Sequence, residues 1–235
     1  FAVDGRVRQF ATLGDRLLVA AGPGGLQVHD ATDAHFAKTG FLALPGEATS
    51  IAVVGQLAFV GLSGSGAEIA TIDLANPDAP RFVDLTWQMI GRRDLTTDGV
   101  LALDASGGTV ASAIDLLDGD GDHTKGLLSI WSLGQNDEGA PTLTRLGRAN
   151  LGQPGNVAVL DHRVAAQSGG KIGLYEPDRF RVISATPPTL ASGVSTTPTI
   201  SVQFSAALVD DADLLAANLH LRVGSPLLGR DAGLA

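Results

Sequence analysis

The chain has 235 residues, of which 44% are hydrophobic and 17% charged, with 30 glycines and no cysteine. That apolar content excludes a disordered tail, and glycines costing about 1 kcal/mol each in helix interiors argue against a helical bundle. A net charge of −9 repels phosphates, which speaks against nucleic acid and anionic membrane as partners, and the missing cysteines remove disulfide frameworks, thiolate zinc sites and cysteine nucleophiles. What remains is an all-β, turn-rich protein of one large domain or two small ones.

Phe1–Asp4 reads as the last strand of a preceding sheet. The first residue is not Met and no signal peptide is visible, so the sequence reads as a piece of a longer chain. The first repeated phrase follows. Phe10-Ala11-Thr12-Leu13-Gly14 matches Ile51-Ala52-Val53-Val54-Gly55, Leu95-Thr96-Thr97-Asp98-Gly99 and Val157-Ala158-Val159-Leu160-Asp161. Each is followed by a small-residue apolar run, then by a glycine turn at Gly24-Gly25, Gly64-Ser65-Gly66, Gly107-Gly108 and Gly169-Gly170.

A second phrase comes next. Leu26-Gln27-Val28-His29-Asp30 recurs as Ile69-Ala70-Thr71-Ile72-Asp73, Leu128-Ser129-Ile130-Trp131-Ser132 and Ile172-Gly173-Leu174-Tyr175-Glu176. The end residues lie 43, 59 and 44 apart, so the third copy carries an insertion. Adding 37–44, 81–87 and 142–148 as outer strands gives four-stranded antiparallel meanders with a period of about 43 residues. That is the period of a propeller blade, and four blades are expected over 7–44, 49–87, 92–148 and 155–178, the last incomplete. Ala and Gly let such sheets approach one another. A two-layer sandwich is the alternative, but it needs no repeated phrase. The uncharged stretch 48–67 is broken by Gly55-Gln56 and is read as two strands, with no membrane insertion.

The phrases at 16–33 and 56–80, the latter ending Asn76-Pro77-Asp78-Ala79-Pro80, resemble LVIVD repeats over about residues 5–178. This resemblance implies a β-propeller of a bacterial or archaeal surface protein. Near residue 182 the composition changes to a Thr/Ser/Pro-rich segment (185–200), followed by strict alternation over 200–205. The stretch 182–208, with Pro187-Pro188, Gly193-Val194, Pro198 and Phe204-Ser205 followed by Leu208, resembles the start of a bacterial Ig-like domain. Two domains are expected, a propeller over 1–181 and a partial Ig-like β-sandwich over 182–235, because a whole Ig-like sandwich needs about 100 residues.

One motif carries chemistry. Asp118, Asp120 and Asp122 alternate with glycines in the third copy's insertion, and Thr124 follows. Ca²⁺ takes six to eight oxygens, and D-x-D-x-D wraps three carboxylates round one ion, with a carbonyl at Thr124 as a further ligand. The loop departs from an EF-hand: His123 stands at position six and Ser129 at position twelve. The competing reading is a solvated acidic hairpin tip. His29 and Asp30 are strand neighbours and point to opposite faces, so they do not form a catalytic pair. Asp30, Asp73 and Glu176 are read as caps of the turns after them. Trp87 and Trp131 are read as filling between sheets, and no nucleophile elbow or phosphate loop occurs.

The expected function is non-catalytic: a binding or structural module of a large extracellular bacterial protein, in adhesion or assembly, with a protein or glycan partner, neighbouring domains and Ca²⁺ as cofactor. The alternatives are a propeller enzyme with its site outside this segment, or a shell segment of a secreted toxin.

Overall fold

The computed structural model describes residues 2–87, 96–117, 125–160 and 163–176, and four short strands beyond them. The chain divides into two compact units, Phe1–Asp178 and Arg179–Ala235. No helix among the described residues is long and apolar enough to cross a membrane.

The first unit is a series of antiparallel meanders. Strands β1 (Gln9–Leu13), β2 (Arg16–Ala20), β3 (Leu26–Asp30) and β4 (Lys38–Leu42) make the first sheet. Strands β5 (Glu47–Val54), β6 (Leu57–Ser63), β7 (Ala67–Asp73) and β8 (Arg81–Trp87) make the second. The third has β9 (Thr96–Ser106), β10 (Thr109–Leu117), β11 (Lys125–Gln135) and β12 (Pro141–Leu151). The fourth has three strands, β13 (Pro154–Leu160), β14 (Arg163–Ser168) and β15 (Lys171–Tyr175). The all-β class and the four-stranded sheets agree with the sequence reading.

First strands adjoin first strands: β1 packs by β5, β5 by β9 and β9 by β13. They are therefore the inner strands of a propeller-like succession. A core cluster fills each gap. Leu18, Leu26 and Val28 meet Ala70 and Ile72; Phe59 and Ile69 meet Ile114 and Trp131; Leu128 and Ile130 meet Val164 and Tyr175. Each fully buried Leu or Ile contributes about 1.5–3 kcal/mol. Small residues set the spacing. A Cβ on Gly61 would stand 2.2 Å from Ser50 Oγ and 2.6 Å from Val100 Cγ1, so only glycine lets the second and third sheets meet there.

Polar bonds tie the inner strands as well. Ile51 N–H donates to Gln9 Oε1 at 3.0 Å, Thr49 Oγ1 donates to the Val100 carbonyl at 2.6 Å, and Val159 N–H donates to Asp104 Oδ2 at 2.8 Å.

Three expectations are corrected. The third sheet is threaded differently: 96–99 and the apolar run after it belong to one strand, β9, and Gly107-Gly108 is the turn between the first and second strands. The insertion lengthens all four strands, and two register shifts between β9 and β10 absorb the mismatch. Residues 2–4 form no strand; Asp4 instead lies on the first sheet, where its backbone exchanges hydrogen bonds with the Gln27 side chain. Trp87 is 58% exposed because Thr86 takes the inward position, whereas Trp131 is buried as expected.

In the second unit β16 (Val182–Thr186) pairs with β17 (Ser201–Phe204), and β18 (Leu221–Val223) with β19 (Arg230–Ala232), both antiparallel.

Arg16 grips Asp78, in the turn before β8, through two bonds of 2.8 and 2.9 Å, linking the first and second sheets. These bonds, then one from Thr39, lower the Asp78 pKa from 3.8 to about 2. A depressed acid stabilises the fold above its unfolded pKa. Arg16→Met should therefore lower stability at neutral pH, with a deficit that shrinks from pH 3.8 towards 2 and disappears below. Urea melts of both proteins across pH 1.5–7 (roughly the window of that linkage) check this; a deficit constant with pH would contradict it.

Candidate functional site

A cleft of about 460 Å³ opens at one end of the inner strands. Arg8 lines it from the start of the first sheet, Glu47, Thr49 and Ser63 from the second, and Leu101 and Asp115 from the third. Its position follows from the fold, since three successive sheets bring their inner strands together here. Arg8 Nη2 stands 3.7 Å from Glu47 Oε2, and both side chains keep more than a third of their surface in solvent. The Thr49 hydroxyl lies 3.0 Å from the Gly61 carbonyl and 2.6 Å from that of Val100, so its single proton serves one at a time. Gly99 forms part of the wall with φ +113°, and a Cβ there would stand 2.2 Å from Ser63 Cβ. The wall is polar, charged at one side, and carried by paired strands.

Asp115 sits near the end of β10, opposite Gly126. The strands on either side of the acidic insertion pair as far as Leu116↔Lys125. Asp118, Asp120, Asp122 and Thr124 themselves lie outside the described residues, as do His123, His162 and His220. Among the described residues no three His, Asp or Glu side chains gather as metal ligands.

The remaining singled-out residues have structural partners. Asp30 Oδ1 accepts from the Thr32 amide at 2.8 Å and the Thr32 hydroxyl at 2.6 Å. Asp73 Oδ1 accepts from the Ala75 amide at 2.8 Å. Both cap the turn that follows. Glu176 differs: it accepts from Arg163 Nε at 2.7 Å. His29 is buried, with Nδ1 2.9 Å from the Phe36 carbonyl.

The sequence reading missed the most unusual polar group. Glu68, on β7, is fully buried against the third sheet. Ser112, Ser129 and Arg148 stand opposite one another on β10, β11 and β12, so their side chains share one face, and that face meets Glu68. Ser112 Oγ donates to Glu68 Oε1 at 2.6 Å, Ser129 lies beside Ser112 on the same face, and Arg148 Nη2 lies 3.7 Å from Oε2. Trp131 Nε1 reaches Ser112 Oγ at 3.5 Å, and the Arg145 guanidinium sits 5.6 Å over the Trp131 ring. Loss of hydration pushes the Glu68 pKa up from 4.5, opposed by the nearby serine hydroxyls and then by Arg148 and Arg145. Burial likewise lowers the Arg148 pKa. One signal was available: Glu68 is the first charge after twenty uncharged residues and directly precedes the repeated strand phrase.

No protein-family model matches the chain, and no curated protein matches it in sequence. Among solved structures, the computationally designed Ika4 protein is 13% identical, with 73% of this chain and 91% of that one covered and a TM-score of 0.48. Myxococcus xanthus glutaminyl cyclase is 12% identical, with 75% and 68% covered and a TM-score of 0.45. The designed Ika8 protein is 11% identical, with 71% and 57% covered and a TM-score of 0.39.

A raised carboxyl pKa favours the fold while the group is protonated, and that stability is lost as pH rises from 4.5 through the folded value. Glu68→Gln keeps an acceptor for Ser112 and removes the titration. The variant should show a flatter stability profile above pH 4.5, measured by denaturant melts. An unchanged slope would mean that Arg148 holds the carboxylate ionised throughout.

Proposed function

We propose that the first unit is a non-catalytic binding module: blades of an LVIVD-type propeller within a larger extracellular bacterial protein, followed by the start of an Ig-like domain. The observation that carries this reading is the cleft across three inner strands. Its walls offer an exposed guanidinium, an exposed carboxylate and two hydroxyls on paired strands, a preorganised set of donors and acceptors. Such a surface suits the hydroxyls of a glycan or the backbone of an extended peptide better than an apolar ligand. The repeated phrases and the series of meanders support the propeller part. The alternation over 200–205 and the β16–β17 pair support the Ig-like part.

Binding to cell-envelope glycans and surface proteins, measured on arrays with the whole chain, tests the module. Glu47→Ala should weaken the interaction about tenfold or more by leaving Arg8 without its partner. Binding indifferent to both Glu47→Ala and Ser63→Ala would move the site elsewhere.

Calcium at Asp118, Asp120 and Asp122, with a carbonyl at Thr124, belongs to the same proposal. An extracellular module can use a weak site, because a site with a millimolar Kd still fills in that setting. Titration calorimetry at millimolar Ca²⁺ should give heat and a higher Tm, both lost in Asp120→Ala. Silence in both readouts leaves a solvated acidic turn.

A further inference from the structure

The outer strand of the third sheet carries a polar feature separate from the cleft. β12 forms the edge of that sheet. Its pairing with β11 slips between Ile130 and Trp131: Arg148 stands opposite Ser129, Gly147 opposite Ile130 and Arg145 opposite Trp131, which leaves Leu146 as an extra residue. On a regular strand, residues three apart point to opposite faces. The bulge cancels that alternation and brings Arg145 onto the face that Arg148 shares with Ser129 and Trp131.

Packing then fixes Arg145 in place. Its guanidinium lies 5.6 Å over the ring of Trp131, a side chain buried and tied through Nε1 to Ser112 Oγ at 3.5 Å. A guanidinium stacked on an aromatic face keeps its N–H groups round its rim, where they match a carboxylate in two parallel bonds. Arg145 is exposed and makes no ion pair among the described residues. The acids around it are engaged elsewhere. Glu68 Oε1 accepts from Ser112, and its Oε2 stands 3.7 Å from Arg148 Nη2. Asp84, on the neighbouring β8, accepts from the Thr142 hydroxyl at 2.9 Å and the Leu85 amide at 2.8 Å. Two guanidiniums thus share this face with one buried carboxylate, an excess of one positive charge. Arg148, disfavoured as a cation first by burial, is favoured by Glu68 and opposed by the like charge of Arg145, a repulsion that a bound anion relieves.

We propose that Arg145, with Arg148 behind it, anchors one acidic side chain of a partner protein. The covered face of Trp131 leaves no aromatic platform for a sugar ring. Leu146, 39% exposed next to Arg145, supplies instead the apolar surround that keeps water from an arginine anchor in protein interfaces. The chain's net charge of −9 opposes an acidic partner at long range. At about 0.15 M salt the Debye length is about 8 Å, so the local excess decides at contact. The anchor is independent of the cleft, whose binding assay stands or falls by itself.

Titration of the whole chain with the acetylated peptide amide Ala-Glu-Ala, followed by NMR at the Arg145 Nε–H and Trp131 indole signals, tests the anchor. Both signals should shift and saturate, and the Ala-Gln-Ala peptide should leave them in place. Arg145→Gln should weaken binding about tenfold or more. Arg145→Lys keeps the charge but loses the planar fork, so it should weaken binding by a smaller factor. Arg145 lies in solvent, so both variants should keep the wild-type circular dichroism. A wild-type chain without saturable shifts overturns the proposal, as does an Arg145→Gln variant that binds as well as wild type. Methyl glucuronide binding about tenfold more tightly than the glutamate peptide also overturns it, by assigning the carboxylate to a glycan.

Discussion

The middle strands of the first three sheets are buried on both sides over most of their length, and a sheet of that kind is unstable with either face in water. In β3 and β7 every residue but the last is buried, although neighbouring residues point in opposite directions. One partner layer would satisfy only half of each strand. Stacking in series satisfies both, and the chain order then becomes the spatial order. Apolar packing alone leaves two sheets free to rotate and slide. The bonds between inner strands and the Arg16–Asp78 clamp further out are directional and remove that freedom. The cleft follows, because inner strands held in register end together.

Much of this was legible in the sequence because the repeats are phrases and not merely patterns. The pairs at 26–30 and 69–73 place equivalent strands, and the glycine turns separate them. The third copy misled for a physical reason. Any glycine pair can form a two-residue hairpin turn, so Gly107-Gly108 could not reveal which hairpin it closes. Strand length decided, and the eleven residues of β9 and β11 exceed anything in the first two sheets.

Glu68 was hidden because its partners are far away in sequence. Ser112, Ser129 and Arg148 come together only through the register of the third sheet, and no motif in the sequence links the three. Taking a carboxylate and a guanidinium out of water costs several kcal/mol per ion, so such a group is weak evidence for stability. Its effect is better understood as alignment. An apolar contact between sheets has no preferred direction, whereas the Ser112–Glu68 bond needs donor and acceptor aligned and so favours one alignment of the two sheets.

The bonds between inner strands share one construction. In each, the earlier sheet supplies a side chain and the later sheet a main-chain group: Gln9 to the Ile51 amide, Thr49 to the Val100 carbonyl, Asp104 to the Val159 amide. A main-chain group survives almost any substitution at its own position, so after duplication the receiving residue is free to drift. The bridging residue needs only the right reach and polarity. An amide, a hydroxyl and a carboxylate now perform one task in three copies. Duplicated sheets joined in this way can lose their likeness in sequence and remain coupled.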